Sequence, residues 1–148
     1  MIQSTLRSIG AVVLSLIMAM VLLIAVEGFS AIVHPLPPGV DPSDIEACKA
    51  HVANYPGWVL AVVVPMWAAT AFLSCWIATR LGAGRHPAHG IGVGALLFAA
   101  VTFNLLMLPY PIWFEAANYA LFPLCIFAGV RLGVGQQKTP STDDLPVA

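Results

Sequence analysis

Residues 8–33 read SIGAVVLSLIMAMVLLIAVEGFSAIV. The first part, 8–26, carries no charged side chain, and a second apolar piece, 28–33, follows Glu27. A helix needs about 17–25 largely apolar residues to cross the hydrocarbon of a bilayer. The stretch therefore predicts a transmembrane helix from Ser8 to Val33. A cleaved leader fits less well, because such leaders have apolar runs of only about 7–15 residues and a small-residue cleavage site.

Three more runs repeat the pattern: Gly57–Thr79, Gly90–Pro109 and Ile112–Val130, the last the shortest and least pure. The predicted fold is all-α, a bundle of four transmembrane helices. The composition agrees. Of 148 residues, 59% are hydrophobic and only 9% charged, against about 25% charged in soluble domains. A net charge of -1 offers no basic field, so nucleic acid is not an expected partner. The expected partners are membrane lipids.

Charge placement sets an orientation. Arg7, Arg80, Arg85, Arg131 and Lys138 all fall on one side of a four-pass chain, whereas Lys49 lies opposite, beside Asp41, Asp44 and Glu46. By the positive-inside rule both termini are cytoplasmic. Tyr55, Trp58, Tyr110 and Trp113 mark the outer boundary and Trp76 the inner one, as an aromatic belt.

The loop between spans one and two begins HPLPPG, which is stiffened by its prolines. It continues DPSDIEACKAHV. Asp41 as cap, Pro42 at the first helical position and Asp44 in the first turn predict a short external amphipathic helix. Ile45, Cys48 and Val52 share one of its faces. Two units follow: a transmembrane domain over 1–132 and a disordered cytoplasmic tail over 133–148, where apolar periodicity stops.

The polar residues inside the spans are few and share a depth. At about 1.5 Å rise per residue, Glu27 lies about 9 Å below the outer end of its span and Asn104 about 7.5 Å below. Glu115 and Asn118 lie about 5 and 9 Å in. His34 stands two turns above Glu27. An acid in hydrocarbon costs about 2.5–3.5 kcal/mol at mid-helix unless it is paired, protonated or wetted. No Lys or Arg lies inside a span, so Glu27 is expected to face the bundle interior or a crevice. Partners within reach are Asn104, Asn118, Tyr119 and Ser30. The layer either locks helix register through hydrogen bonds or, with Glu27 near Glu115, holds a proton or a cation.

Gly90 and Gly94, and Ala78 and Gly82, have the small-xxx-small spacing that lets helices approach closely, within the monomer or at a dimer seam. No H-E-x-x-H, paired Glu-x-x-His, C-x-x-C, nucleophile elbow or phosphate loop occurs. No metal, cofactor or catalytic residue is therefore expected.

The pieces VEGFSAIVHPLPPGVDPSDIEA, WIATRLGAGRHPAHG and NLLMLPYPIWF resemble a group of small four-pass bacterial inner-membrane proteins without an assigned activity. The resemblance implies a bacterial inner membrane location and an α-helical fold, and no catalytic role. The expected function is that of a structural or accessory subunit in a larger or self-associated membrane complex. Proton or cation transport through the Glu27/Glu115 layer is one alternative. A membrane enzyme or lipid-binding protein with its site beneath the outer loop is the other.

Overall fold

The computed structural model describes residues 2–135. Five α-helices make it up: α1 (Ile2–Val33), α2 (Ile45–Ala53), α3 (Gly57–Leu81), α4 (Pro87–Met107) and α5 (Ile112–Val134). A short 3-10 turn, Ala83–Arg85, links α3 to α4, and no strand occurs among the described residues. The helices α1, α3, α4 and α5 are each long and apolar enough to cross a membrane. The chain is thus an all-α bundle of four membrane-spanning helices, with α2 set between the first two.

The centre of the bundle is α3, which packs on α1, α4 and α5, whereas α1 and α4 touch sparingly. Its buried face runs Val59, Val63, Trp67, Ala71, Cys75, Ala78, the three- and four-residue spacing of one helical side. Val26, Val101, Leu105, Phe114 and Phe122 complete the core around its first half. Around its second half small residues take over. A Cβ added at Gly90 would lie against Thr79 Oγ1 and 2.7 Å from the Cys75 carbonyl oxygen; one at Gly94 would lie 2.6 Å from Ile126 Cγ2. One at Gly129 would strike the Phe72 carbonyl, and one at Gly133 would lie 2.6 Å from Thr79 Cβ. Hydrocarbon gives apolar side chains no reason to leave it, so close backbone approach and dispersion hold this end together. Ala78 is fully buried in the same packing, and Gly82 lies beside His89.

The arginines gather at that end. Arg7 Nε donates to the Leu81 carbonyl at 2.8 Å, tying α1 to the close of α3. Arg80 and Arg85 both approach Gly135. His86 caps α4, with Nδ1 accepting from Ala88 N at 3.2 Å ahead of Pro87.

Several expected boundaries move. Helix α1 begins at Ile2 rather than Ser8, and α5 continues to Val134. Arg131 remains helical with its guanidinium 6.0 Å from the Phe127 ring centroid, a basic side chain lying along an apolar one. At 23 residues α5 outruns α4, at 21, so the fourth span is not the shortest. Of the expected tail, Gly133 and Val134 complete α5, and 136–148 lie outside the described residues.

The cap of α2 also differs from expectation. Asp44, with extended backbone, is the N-cap and accepts from Glu46 N and Ala47 N at 2.9 and 3.3 Å. Asp41 is occupied one turn earlier, accepting from Ser43 N and Ser43 Oγ, both at 2.8 Å. Those two bonds hold its carboxyl below the ordinary aspartate pKa. The aspartate nearer the helix wins because only its oxygen can reach the free N–H groups of the first turn.

Candidate functional site

At the end of the bundle opposite the arginines, a cleft of about 280 Å³ opens beside α1 and α4. Leu23 and Glu27 of α1 form one wall, and Leu97, Val101 and Asn104 of α4 the other; Trp67, Thr70 and Phe122 complete the lining. Glu27 is six residues before the end of α1 and Asn104 three before the end of α4, so they lie about 9 and 4.5 Å below their helix ends. Trp67 lies ten residues into α3, about 15 Å down. The cleft therefore runs from a polar mouth to an apolar floor.

Glu27 is exposed at that mouth rather than enclosed by the bundle. Among the described residues it accepts no hydrogen bond and meets no cation. The field of its carboxylate reaches the hydroxyls of Tyr55 and Tyr110. Burial is the main cause that raises both phenols above the ordinary tyrosine pKa, and the acid adds to it; a hydrogen bond with Ser30 partly offsets the rise at Tyr55.

Two further polar atoms belong to cleft residues. Trp67 is 7% exposed, and its Nε1–H finds no acceptor among the described residues. Asn104 Oδ1 is buried and finds no donor among those residues. Thr70 Oγ1 donates to the Met66 carbonyl at 2.9 Å, which leaves its own lone pairs able to accept. Trp67 also packs edge-on against Tyr110 and Phe114, with centroids 6.4 and 5.5 Å away. It serves the core and lines the cleft at once.

The other residues of the expected polar layer are distributed around this site. Asn118 is buried on α5, and its Nδ2 bonds the Phe114 carbonyl of its own helix at 2.9 Å, leaving Oδ1 unmatched. Glu115 is half-buried on the first turn of α5 and does not line the cleft with Glu27. His34 lies above the cleft in a second cluster that sequence reading did not assemble. Its ring stacks on His51 of α2 at 4.3 Å and 16°, and Tyr55 closes on both at 4.7 and 5.2 Å. Burial, followed by the neighbouring His34, holds His51 below the ordinary histidine pKa, partly offset by a hydrogen bond with the His34 backbone. The available signal was the closeness in sequence of His51, in the last turn of α2, and Tyr55, just beyond its cap. It gave no indication that His34, across the proline turn, was its counterpart.

Among the described residues no three His, Cys, Asp or Glu side chains converge as a metal-ligand set. Fold and site together define a multi-pass α-helical membrane protein with a lateral, polar-mouthed cleft. Comparison with protein-family models, with curated proteins and with solved structures finds no match to the chain.

Proposed function

We propose that the protein is a structural or accessory component of a membrane assembly, made with larger partners or with further copies of itself. The observation that carries this reading is the lopsided use of α1. This helix enters the bundle along a seam of small residues, Ala11, Ser15 and Ala19, followed by Val26 and Ser30. Its remaining sides present Ile9, Val13, Ile17, Met20, Val21 and Ile24, all exposed. A long aliphatic ridge of this kind meets either acyl chains or another helix, and helix association in lipid rests on such packing.

A photocrosslinking side chain at Ile17, compared with one at Phe127 on α5, tests the reading in native membranes. Adducts of one defined size from position 17 are the expected result. Single chains by photobleaching, with no adduct from either position, would overturn it.

The accompanying placement is the bacterial inner membrane with the arginine end in the cytoplasm. Its support is the gathering of Arg7, Arg80 and Arg85 at one end, since basic residues are retained on the cytoplasmic side. In a chain whose Cys48, Cys75 and Cys125 are replaced by Ser, an impermeant thiol reagent should label Ser43→Cys in intact spheroplasts and leave Gly84→Cys unlabelled.

A second reading, proton or cation handling, draws on Glu27 at the cleft mouth. The apolar floor formed by Leu97 and Phe122 gives it less support. Glu27→Gln separates the two readings: intact assembly with lost ion flux favours transport, and lost assembly favours the accessory role.

A further inference from the structure

The cleft at Glu27 has properties that the accessory reading does not use. Its unmatched groups are one donor, Trp67 Nε1–H, and one acceptor, Asn104 Oδ1, both belonging to lining residues. A buried donor and a buried acceptor left open each cost free energy that a suitable guest recovers. An indole N–H can only donate, and an amide oxygen can only accept. A hydroxyl does both, giving its proton to the amide oxygen and offering a lone pair to the indole. Glu27, at the mouth, supplies a further acceptor for a second hydroxyl.

Charge narrows the class. None of the residues that line the cleft is Lys or Arg, and Glu27 is the acid at the entrance. A phosphate or carboxylate head would meet like charge there and no counter-ion. An ammonium head would match the two acceptors but leave Trp67 Nε1–H unmatched.

Size and access narrow it further. The cleft holds about 280 Å³, against about 30 Å³ for a water molecule in the liquid. That is room for a small head and the first few methylenes, not for a whole lipid. A tail must leave, and the sparse contact of α1 with α4 provides the gap through which it reaches the acyl layer.

We propose that the cleft between α1 and α4 binds the head of an uncharged, hydroxyl-bearing amphiphile of the long-chain alcohol or acylglycerol class, with its tail in the surrounding lipid. Asn104 Oδ1 accepts from the hydroxyl, Trp67 Nε1–H donates to it, and Leu97, Val101 and Phe122 hold the first methylenes.

The test uses the full chain in nanodiscs of phosphatidylcholine, whose head has no hydrogen-bond donor. Dodecanol, dodecane, dodecanoate and dodecylamine are titrated in turn while the four indole N–H signals are followed by NMR, with Trp67 assigned from Trp67→Phe. The expected result is a saturable shift of the Trp67 signal with dodecanol and little response to the other three. Asn104→Leu should weaken the dodecanol response about tenfold, the scale of one buried hydrogen bond, while the other three indole signals stay in place as a check on folding. A Trp67 signal unmoved by dodecanol overturns the proposal. So does an equal response to dodecane, which would make the cleft merely a place for acyl chains, or a stronger response to dodecylamine. The selectivity measured on the unaltered chain decides the matter if Asn104→Leu does not fold.

Discussion

The two ends of this bundle are built on opposite rules. At the arginine end, glycines bring backbones together until a single methyl group has no place, as at Gly90 and Gly129. At the other end, aromatic and aliphatic side chains hold the helices apart, and a cleft remains beside α1 and α4. Buried polar atoms without partners occur in both halves: Ser74 Oγ and Thr79 Oγ1 in the dense one, Asn104 Oδ1 and Trp67 Nε1 in the open one. Only the latter pair belongs to residues lining space that a guest can enter. The same kind of unmatched atom is thus a packing cost in one region and a recognition element in the other. What separates the two is whether glycine or a larger residue sits at the helix contact.

The largest expected effect tests the dense half. Gly90→Ala places a methyl group against the Cys75 carbonyl, and overpacking of this kind costs about 1–3 kcal/mol. Unfolding in mixed micelles measures the loss. Gly28→Ala is the matched control, because nothing lies within 4 Å of its added Cβ. A change within about 0.5 kcal/mol is expected there. Equal losses at both positions would erase the distinction between the two halves.

A smaller effect belongs to the open end. Asp44→Ala removes the cap of α2 and should cost about 1 kcal/mol. Because α2 lies outside the spanning helices, the loss should appear as faster amide exchange in Ile45–Ala53 with little change in α3. A matching rise in α3 would mean that the short helix and the bundle open together.

The smallest effect is a pH dependence of how α2 sits on His34. His51 has a lowered pKa when docked, so the docked state binds fewer protons than the undocked state as pH falls below 6.5. The docked form therefore loses stability from 6.5 downward through the lowered value, and above 6.5 His51 contributes no pH dependence. The groups around it are His34, stacked on its ring, and Tyr55, with Glu27 beneath. Exchange of α2 amides should quicken over that window, and His51→Gln should flatten the profile. An unchanged profile in His51→Gln would assign the effect to another group.

The fold was legible because hydrocarbon demands long apolar runs, and four of them are present. The ends were less legible. Polar residues such as Gln3 and Arg7 continue α1 where it reaches beyond the nonpolar layer, and Arg131 stays helical by lying along Phe127. Of the candidate site, Glu27 and Asn104 could be matched by depth, since rise per residue converts position into height. Depth says nothing about azimuth, and for this reason Glu115 and Asn118, at similar heights, do not line the same cleft. Nothing in the sequence marks Trp67 as a lining residue, because the neighbours its indole meets are supplied only by the fold. The His34–His51 stack depends on the path of a proline-rich loop, which local propensity does not fix.

One dimension of α1 has a mechanical consequence. Its apolar stretch, Ser8–Val33, is about 39 Å long, whereas all of α4 measures about 32 Å. Two rods of unequal length cannot both stand upright in one slab of oil, so the longer leans. A thin bilayer asks for more lean and a thick one for less. Because α1 forms one wall of the cleft, the membrane in which the protein resides acts on the width of that opening.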